Sequence, residues 1–92
     1  MSLIPYSDTQ SIKTSSGLTF ALRACASTAL TAFGYSPERH ELAVLFRPDD
    51  QTLYVYEGIT DAEGLSLEAA SSKGKAIQEI KARHKVRKEI LR

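Results

Sequence analysis

Between His40 and Ile59 the chain alternates the facing of its apolar side chains around one short polar break, and this pattern restricts the fold more than any other stretch. In "HELAVLF", Leu42, Val44 and Phe46 fall on one face and Ala43 and Leu45 on the other, as a strand covered on its main face requires. "RPDDQ" reads as a five-residue hairpin loop, and "TLYVYEGI" follows with the β-branched and aromatic types that pack on a pleated surface. Two such strands pair antiparallel. Successive strand side chains face opposite ways, so Tyr54 and Tyr56 share one side with Thr52, while Leu53, Val55 and Glu57 share the other. The two rings are then either core beneath a helix or a platform for stacking unpaired bases, and the sequence leaves both readings open.

With 92 residues, 42% hydrophobic and 25% charged, the chain predicts one small domain with a single modest core and no large cleft between lobes. It contains no run of about 18 apolar residues, and "MSLIPYSDTQ" lacks the basic-then-apolar order of a secretion signal, so a cytoplasmic protein with no membrane partner is expected. The lone Cys25 cannot form an internal disulfide and reads as a small buried apolar residue. His40 and His84 have no partner at ligand spacing, and no Ser, Cys or carboxylate stands where either could activate it. No metal, no cofactor and no enzymatic activity are expected.

The first sixteen residues carry little apolar patterning, and Lys13 to Gly17 reads as a turn or a loose arm. Alternation predicts strands over Leu18 to Ala24 and over Thr28 to Tyr35, the second closed by the turn "SPER". From Thr60 the period changes. Thr60 or Asp61 caps a short helix carrying Leu65, Leu67, Ala69 and Ala70, in which Gly64 costs about 1 kcal/mol relative to Ala. Ser71 or Ser72 caps a second helix, where Ala76, Ile77, Ile80, His84 and Leu91 fall on one side at roughly 100° per residue. The expected fold is α+β: an antiparallel sheet of three to four strands packed against one or two C-terminal helices, with residues 1–26 an arm or extra strand ahead of a domain over 27–92.

The net charge of +1 conceals a division. Met1 to Ser72 holds 4 basic and 9 acidic residues, a balance of −5, and Lys73 to Arg92 holds 8 basic and 2 acidic, a balance of +6. On a helix running to the end of the chain, Lys81, Lys85, Lys88 and Arg92 step by 4, 3 and 4 and form one basic stripe. Such a stripe is either a solvated face or a surface that meets phosphates or an acidic partner. "SSKGKA" adds Lys73 and Lys75 at a helix start, where backbone amides and the dipole favour an anion. The plainer reading has Ser72 capping and Gly74 permitting close packing.

Strand, turn, "YVY" strand and "SKG" helix start occur in an order that resembles the KTSC domain, a module of roughly sixty residues named for the C-termini of some lysyl-tRNA synthetases and found also as a free-standing bacterial or phage protein. The resemblance runs from Ser27 to about Lys85. Ser27, Leu30, Gly34-Tyr35, Leu42, Val44 and Phe46 carry its first part; Tyr54-Val55-Tyr56, Gly58-Ile59, Ala70, Ser72-Lys73-Gly74 and Ile80 carry the rest. The hairpin that commonly ends in Ser-Gly is "RPDDQ" here, and the aromatic-plus-Asn segment after Ser-Lys-Gly is Lys75-Ala76-Ile77-Gln78. What the resemblance implies about activity is RNA binding.

Two functional expectations follow. The first is a nucleic-acid-binding module for RNA or single strands, with Lys73, Lys75, Lys81, Lys85, Lys88 and Arg92 on phosphates and Tyr54 or Tyr56 stacking on bases. The second is a protein-interaction module, an accessory or inhibitory factor that docks on a larger host enzyme through the basic helix, a sheet edge or the N-terminal arm. Free sheet edges in so short a chain are also compatible with a homodimer.

Overall fold

The two-residue period from His40 to Ile59 becomes the centre of a six-stranded antiparallel sheet in the computed structural model, which describes residues 9–24, 29–47 and 51–91. Its elements are β1 (Thr9–Lys13), β2 (Thr19–Ala24), β3 (Leu30–Ser36), β4 (Glu41–Phe46), β5 (Thr52–Glu57), α1 (Asp61–Ala69), α2 (Lys73–Arg83) and β6 (Val86–Ile90). Strands adjacent in sequence are adjacent in the sheet, in the order β1-β2-β3-β4-β5-β6. The sheet curls into a half-barrel. At one end the turn after β1 reaches the last strand, where the Ser15 amide donates to the Ile90 carbonyl at 2.7 Å and Ser16 Oγ donates to Glu89 Oε1 at 2.8 Å.

Both faces of the sheet are buried, which explains why β4 reads as nearly continuous hydrophobic sequence. Leu30, Phe33, Leu42, Val44 and Tyr56 face outward and are covered by Leu67 of α1 and by Ile77 and Ile80 of α2. Phe20, Leu22, Ala43, Leu45, Leu53 and Val55 fill the concave side. Each fully buried aliphatic side chain stabilises the fold by about 1.5–3 kcal/mol, so two thin layers replace the single modest core expected from chain length.

A charged cluster lines the same concave side. Arg87 Nη1 donates to Glu41 Oε2 at 2.8 Å and to Glu57 Oε2 at 3.1 Å, and its Nε donates to Glu89 Oε2 at 2.8 Å. These three carboxylates, Glu41 first, hold the guanidinium well above its ordinary pKa.

The helices are fixed by their caps. Thr60 accepts from the Glu63 amide while Glu63 accepts from the Thr60 amide, a complete capping box, and Ser72 accepts from the Lys75 amide. Glu63 also shares a 2.8 Å hydrogen bond with His84 Nε2, which ties the end of α2 to the start of α1. Gly64 lies on the Tyr35 ring so closely that a Cβ there would stand 2.6 Å from Cδ2. Gly34 likewise admits the Ala21 carbonyl, which a Cβ would strike.

Two expectations need correction and one is narrowed. The sheet has six strands where three to four were expected. Of the arm or extra strand expected over residues 1–26, Thr9–Lys13 is strand β1, paired along its length with β2. The second helix stops at Arg83, and the segment expected to continue it to Leu91 is strand β6, in register with β5 from Tyr56↔Val86 to Thr52↔Ile90. A row of unpaired amides and carbonyls on β5 makes the strand the better solution, since pairing satisfies groups that a longer helix would leave open. Residues 1–8, Cys25, Ser27, Asp49, Asp50 and Arg92 lie outside the described residues. Among the described residues no helix is long and apolar enough to cross a membrane.

Candidate nucleic-acid interface

The break between α2 and β6 dismantles the basic stripe read from the sequence. Lys81 stays on α2, Lys85 falls in the connection, Lys88 moves to β6, and Arg92 lies outside the described residues. Two of these ammonium groups meet again by another route. Tyr54 stands directly opposite Lys88 in the β5–β6 register, and the Lys88 Nζ lies 5.8 Å from the centre of the Tyr54 ring. On the neighbouring strand Phe46 is two residues beyond Val44, the partner of Tyr54, so the two rings are diagonal neighbours. Their centroids are 5.3 Å apart at an interplanar angle of 76°, an edge-to-face pair. Lys81 reaches the second ring from α2, its Nζ 6.0 Å from the Phe46 ring centre.

The result is a half-buried aromatic pair with one ammonium over each ring, drawn from three strands and a helix. Phe46 also borders an open groove of about 530 Å³ that runs along the first turns of α2, with Arg47, Ser72, Gly74, Lys75 and Lys81 among its lining residues. The Arg47 guanidinium is anchored on the Leu30 carbonyl at 3.1 Å.

The other residues expected at a site divide clearly. Tyr56 is 2% exposed, and burial pushes its phenol pKa up, with Tyr54 adding to the shift; it is core and cannot stack on a ligand. Tyr54 is partly exposed on the same face, so the two tyrosines answer the stacking question differently. Lys73 turns back on α1, where its ammonium donates to the carbonyls of Glu68 at 2.8 Å and Ala70 at 2.7 Å. It therefore caps the preceding helix. Ser72 and Gly74 follow the plainer reading, the first as N-cap and the second in close approach to Ala29.

Most cations elsewhere are committed, Lys13 on β1 being the exception among the described residues. Arg23 pairs with Glu68, Arg39 with Glu41, Arg83 with Glu63, and Arg87 with three glutamates. Among the described residues, Lys75, Lys81, Lys85 and Lys88 have no carboxylate within ion-pair distance. Sequence reading identified these lysines but missed Phe46, which it assigned to the covered face of β4. The cross-strand diagonal from Tyr54 was the signal that could have found it. Among the described residues no group of three His, Cys, Asp or Glu side chains is placed to hold a metal ion.

The family model described as the KTSC domain matches residues 26–83. That span takes in β3 through α2, including Phe46, Tyr54 and Lys81, and leaves β1, β2 and the whole of β6 with Lys88 outside it. A crystal structure of a KTSC domain protein from Yersinia pestis is similar at a TM-score of 0.67 and 26% identity, covering 73% of this chain and 93% of that one. No curated protein matches the sequence.

Proposed function

The chain belongs to the KTSC domain family, and on that premise we propose that it is a small nucleic-acid-binding module that holds the backbone of a single strand against the face shared by α2 and β6. One observation carries the reading: Lys75, Lys81, Lys85 and Lys88 have no carboxylate within ion-pair distance and all belong to the segment from α2 to β6, while Arg23, Arg39 and Arg87 are paired. Four ammonium groups without an internal carboxylate, two of which (Lys75 and Lys81) line an open groove, cost self-repulsion in the free protein, and a polyanion relieves it. The acidic remainder of the surface limits contact to this side.

Fluorescence anisotropy with labelled single-stranded RNA and DNA at two salt concentrations tests the proposal. Affinity is expected to fall with salt at a logarithmic slope of roughly −0.7 per phosphate engaged. Charge reversal by Lys81→Glu with Lys88→Glu is expected to abolish binding. Absence of binding at low salt, or affinity indifferent to the double substitution, overturns it.

The alternative, a protein-interaction module docking on a larger enzyme, draws on a different observation. Val86 and Ile90 project from the edge strand β6 at 46% and 47% exposure, with Lys88 between them. An apolar pair on a sheet edge suits an added strand. A pull-down from host extract lost on Val86→Lys and retained on Lys81→Glu would favour this second reading.

A further inference from the structure

We infer that Phe46 and Tyr54 together form the seat for one unpaired nucleobase, with Lys81 and Lys88 as movable covers that transfer to the flanking phosphates when the base arrives. This rests on the proposed nucleic-acid reading and adds to it a specific recognition element: the ligand is held by a flat ring as well as by its charge.

The argument begins with what the two rings do in the free protein. Both belong to the rim of the outer core, packed on it and only partly buried. The rings meet edge to face, and each carries one ammonium group, Lys81 Nζ at 6.0 Å from the centre of Phe46 and Lys88 Nζ at 5.8 Å from that of Tyr54. At an exposed site such a cation contact contributes about 0.5–1 kcal/mol. A base stacked on an aromatic side chain contributes about 1–3 kcal/mol. Exchange of ammonium for base is therefore favourable at the ring, and the displaced lysine, on a flexible stem, gains a phosphate instead. Each cover also comes from a different element, Lys81 from α2 and Lys88 from β6, so the two heads move independently.

Other features of the face agree with this assignment. The Tyr54 hydroxyl has no hydrogen-bond partner among the described residues, which leaves it available to a base edge or to water. The groove continues from Phe46 toward Lys75, giving the strand a path beyond the seated base. An acidic peptide would satisfy the lysines and leave the rings without a planar partner, so charge and aromatic surface together favour a nucleic acid.

The test compares an intact single-stranded oligonucleotide with an abasic strand of the same length and charge, at one salt concentration. The intact strand is expected to bind about tenfold more tightly, as one stacked base implies. Phe46→Leu and Tyr54→Leu are expected to bring the ratio of intact to abasic affinity down to about one, with thermal melting used to confirm that each variant is folded. Because Phe46→Leu removes ring contacts from the rim, photocrosslinking of a 5-iodouracil strand to the unaltered protein gives an independent readout, with the adduct expected on Phe46 or Tyr54. Equal affinity for the intact and abasic strands overturns the seat and leaves the phosphate reading standing. Binding of neither strand overturns both. Displacement of the strand by poly-glutamate at equal charge, with no adduct at either ring, overturns the seat in favour of an acidic protein partner.

Discussion

At position 64 the missing side chain decides how α1 rests on the sheet. Replacing Gly64 by Ala improves helix propensity by about 1 kcal/mol, yet the new methyl would meet the Tyr35 ring inside contact distance. Overpacking of this kind costs about 1–3 kcal/mol. Gly64→Ala is therefore expected to lower stability in chemical denaturation, against the helix-propensity trend. The same tyrosine responds to alkali. Burial, followed by the hydrogen bond from Tyr35 to Asp61 at 2.6 Å, pushes its phenol from 10.0 up to about 12. A raised acid pKa means the fold prefers the neutral phenol, so this contribution is intact below pH 10 and is lost as pH rises toward 12. Absorbance at 295 nm and melting temperature followed together over that range check it, and Tyr35→Phe is expected to remove the dependence. Acid acts in the opposite sense. Glu63, chiefly through the Thr60 amide and then His84, and Glu89, chiefly through Arg87 and then Ser16, are held below the ordinary 4.5. Their contribution is present above that value and disappears as pH falls through the lower folded values. Melting curves from pH 6 to pH 2 are expected to flatten in Glu63→Gln and Glu89→Gln.

Among the elements, β6 has the largest consequences because it closes the concave side with a charge. Arg87 is 32% exposed in its side chain and faces three glutamates, so its loss leaves like charges together without their cation. Arg87→Met is expected to destabilise the protein by about 1–3 kcal/mol, less than for a fully buried pair. Adding Glu41→Gln should recover part of that loss, and a double-mutant cycle in urea measures how much. This strand was also the hardest element to read from sequence. Ile77, Ile80, His84 and Leu91 continue a helical phase, while Val86, Lys88 and Ile90 alternate with Arg87, Glu89 and Leu91 as a strand does. Both periods fit, and no Gly or Pro separates them; pairing with β5 selects the strand. The central hairpin was legible because its alternation has only one period and a polar break, and both helix starts were legible because Thr60 and Ser72 cap them as their positions suggest. The site was half legible. Unpaired lysines stand out in a charge count, but the meeting of Lys81 and Lys88 around Phe46 and Tyr54 depends on a register between three strands and the placement of a helix.

For the whole molecule, the separation of charge has a thermodynamic reading. A ligand that binds only the folded state raises stability with the logarithm of its concentration. Heparin, a polyanion with no bases, is therefore expected to raise the melting temperature progressively, and Lys81→Glu with Lys88→Glu is expected to suppress the shift in a thermal-denaturation assay. The sequential strand order has a further consequence, this one for synthesis. As the chain leaves the ribosome, each new strand finds its partner already made, so pairing can follow translation from β1 to β5. β6 is the exception, because two helices separate it from β5. Until the final residues emerge, the nascent chain carries an unguarded β5 edge, and that interval is when a neighbouring polypeptide could add itself in place of the missing strand.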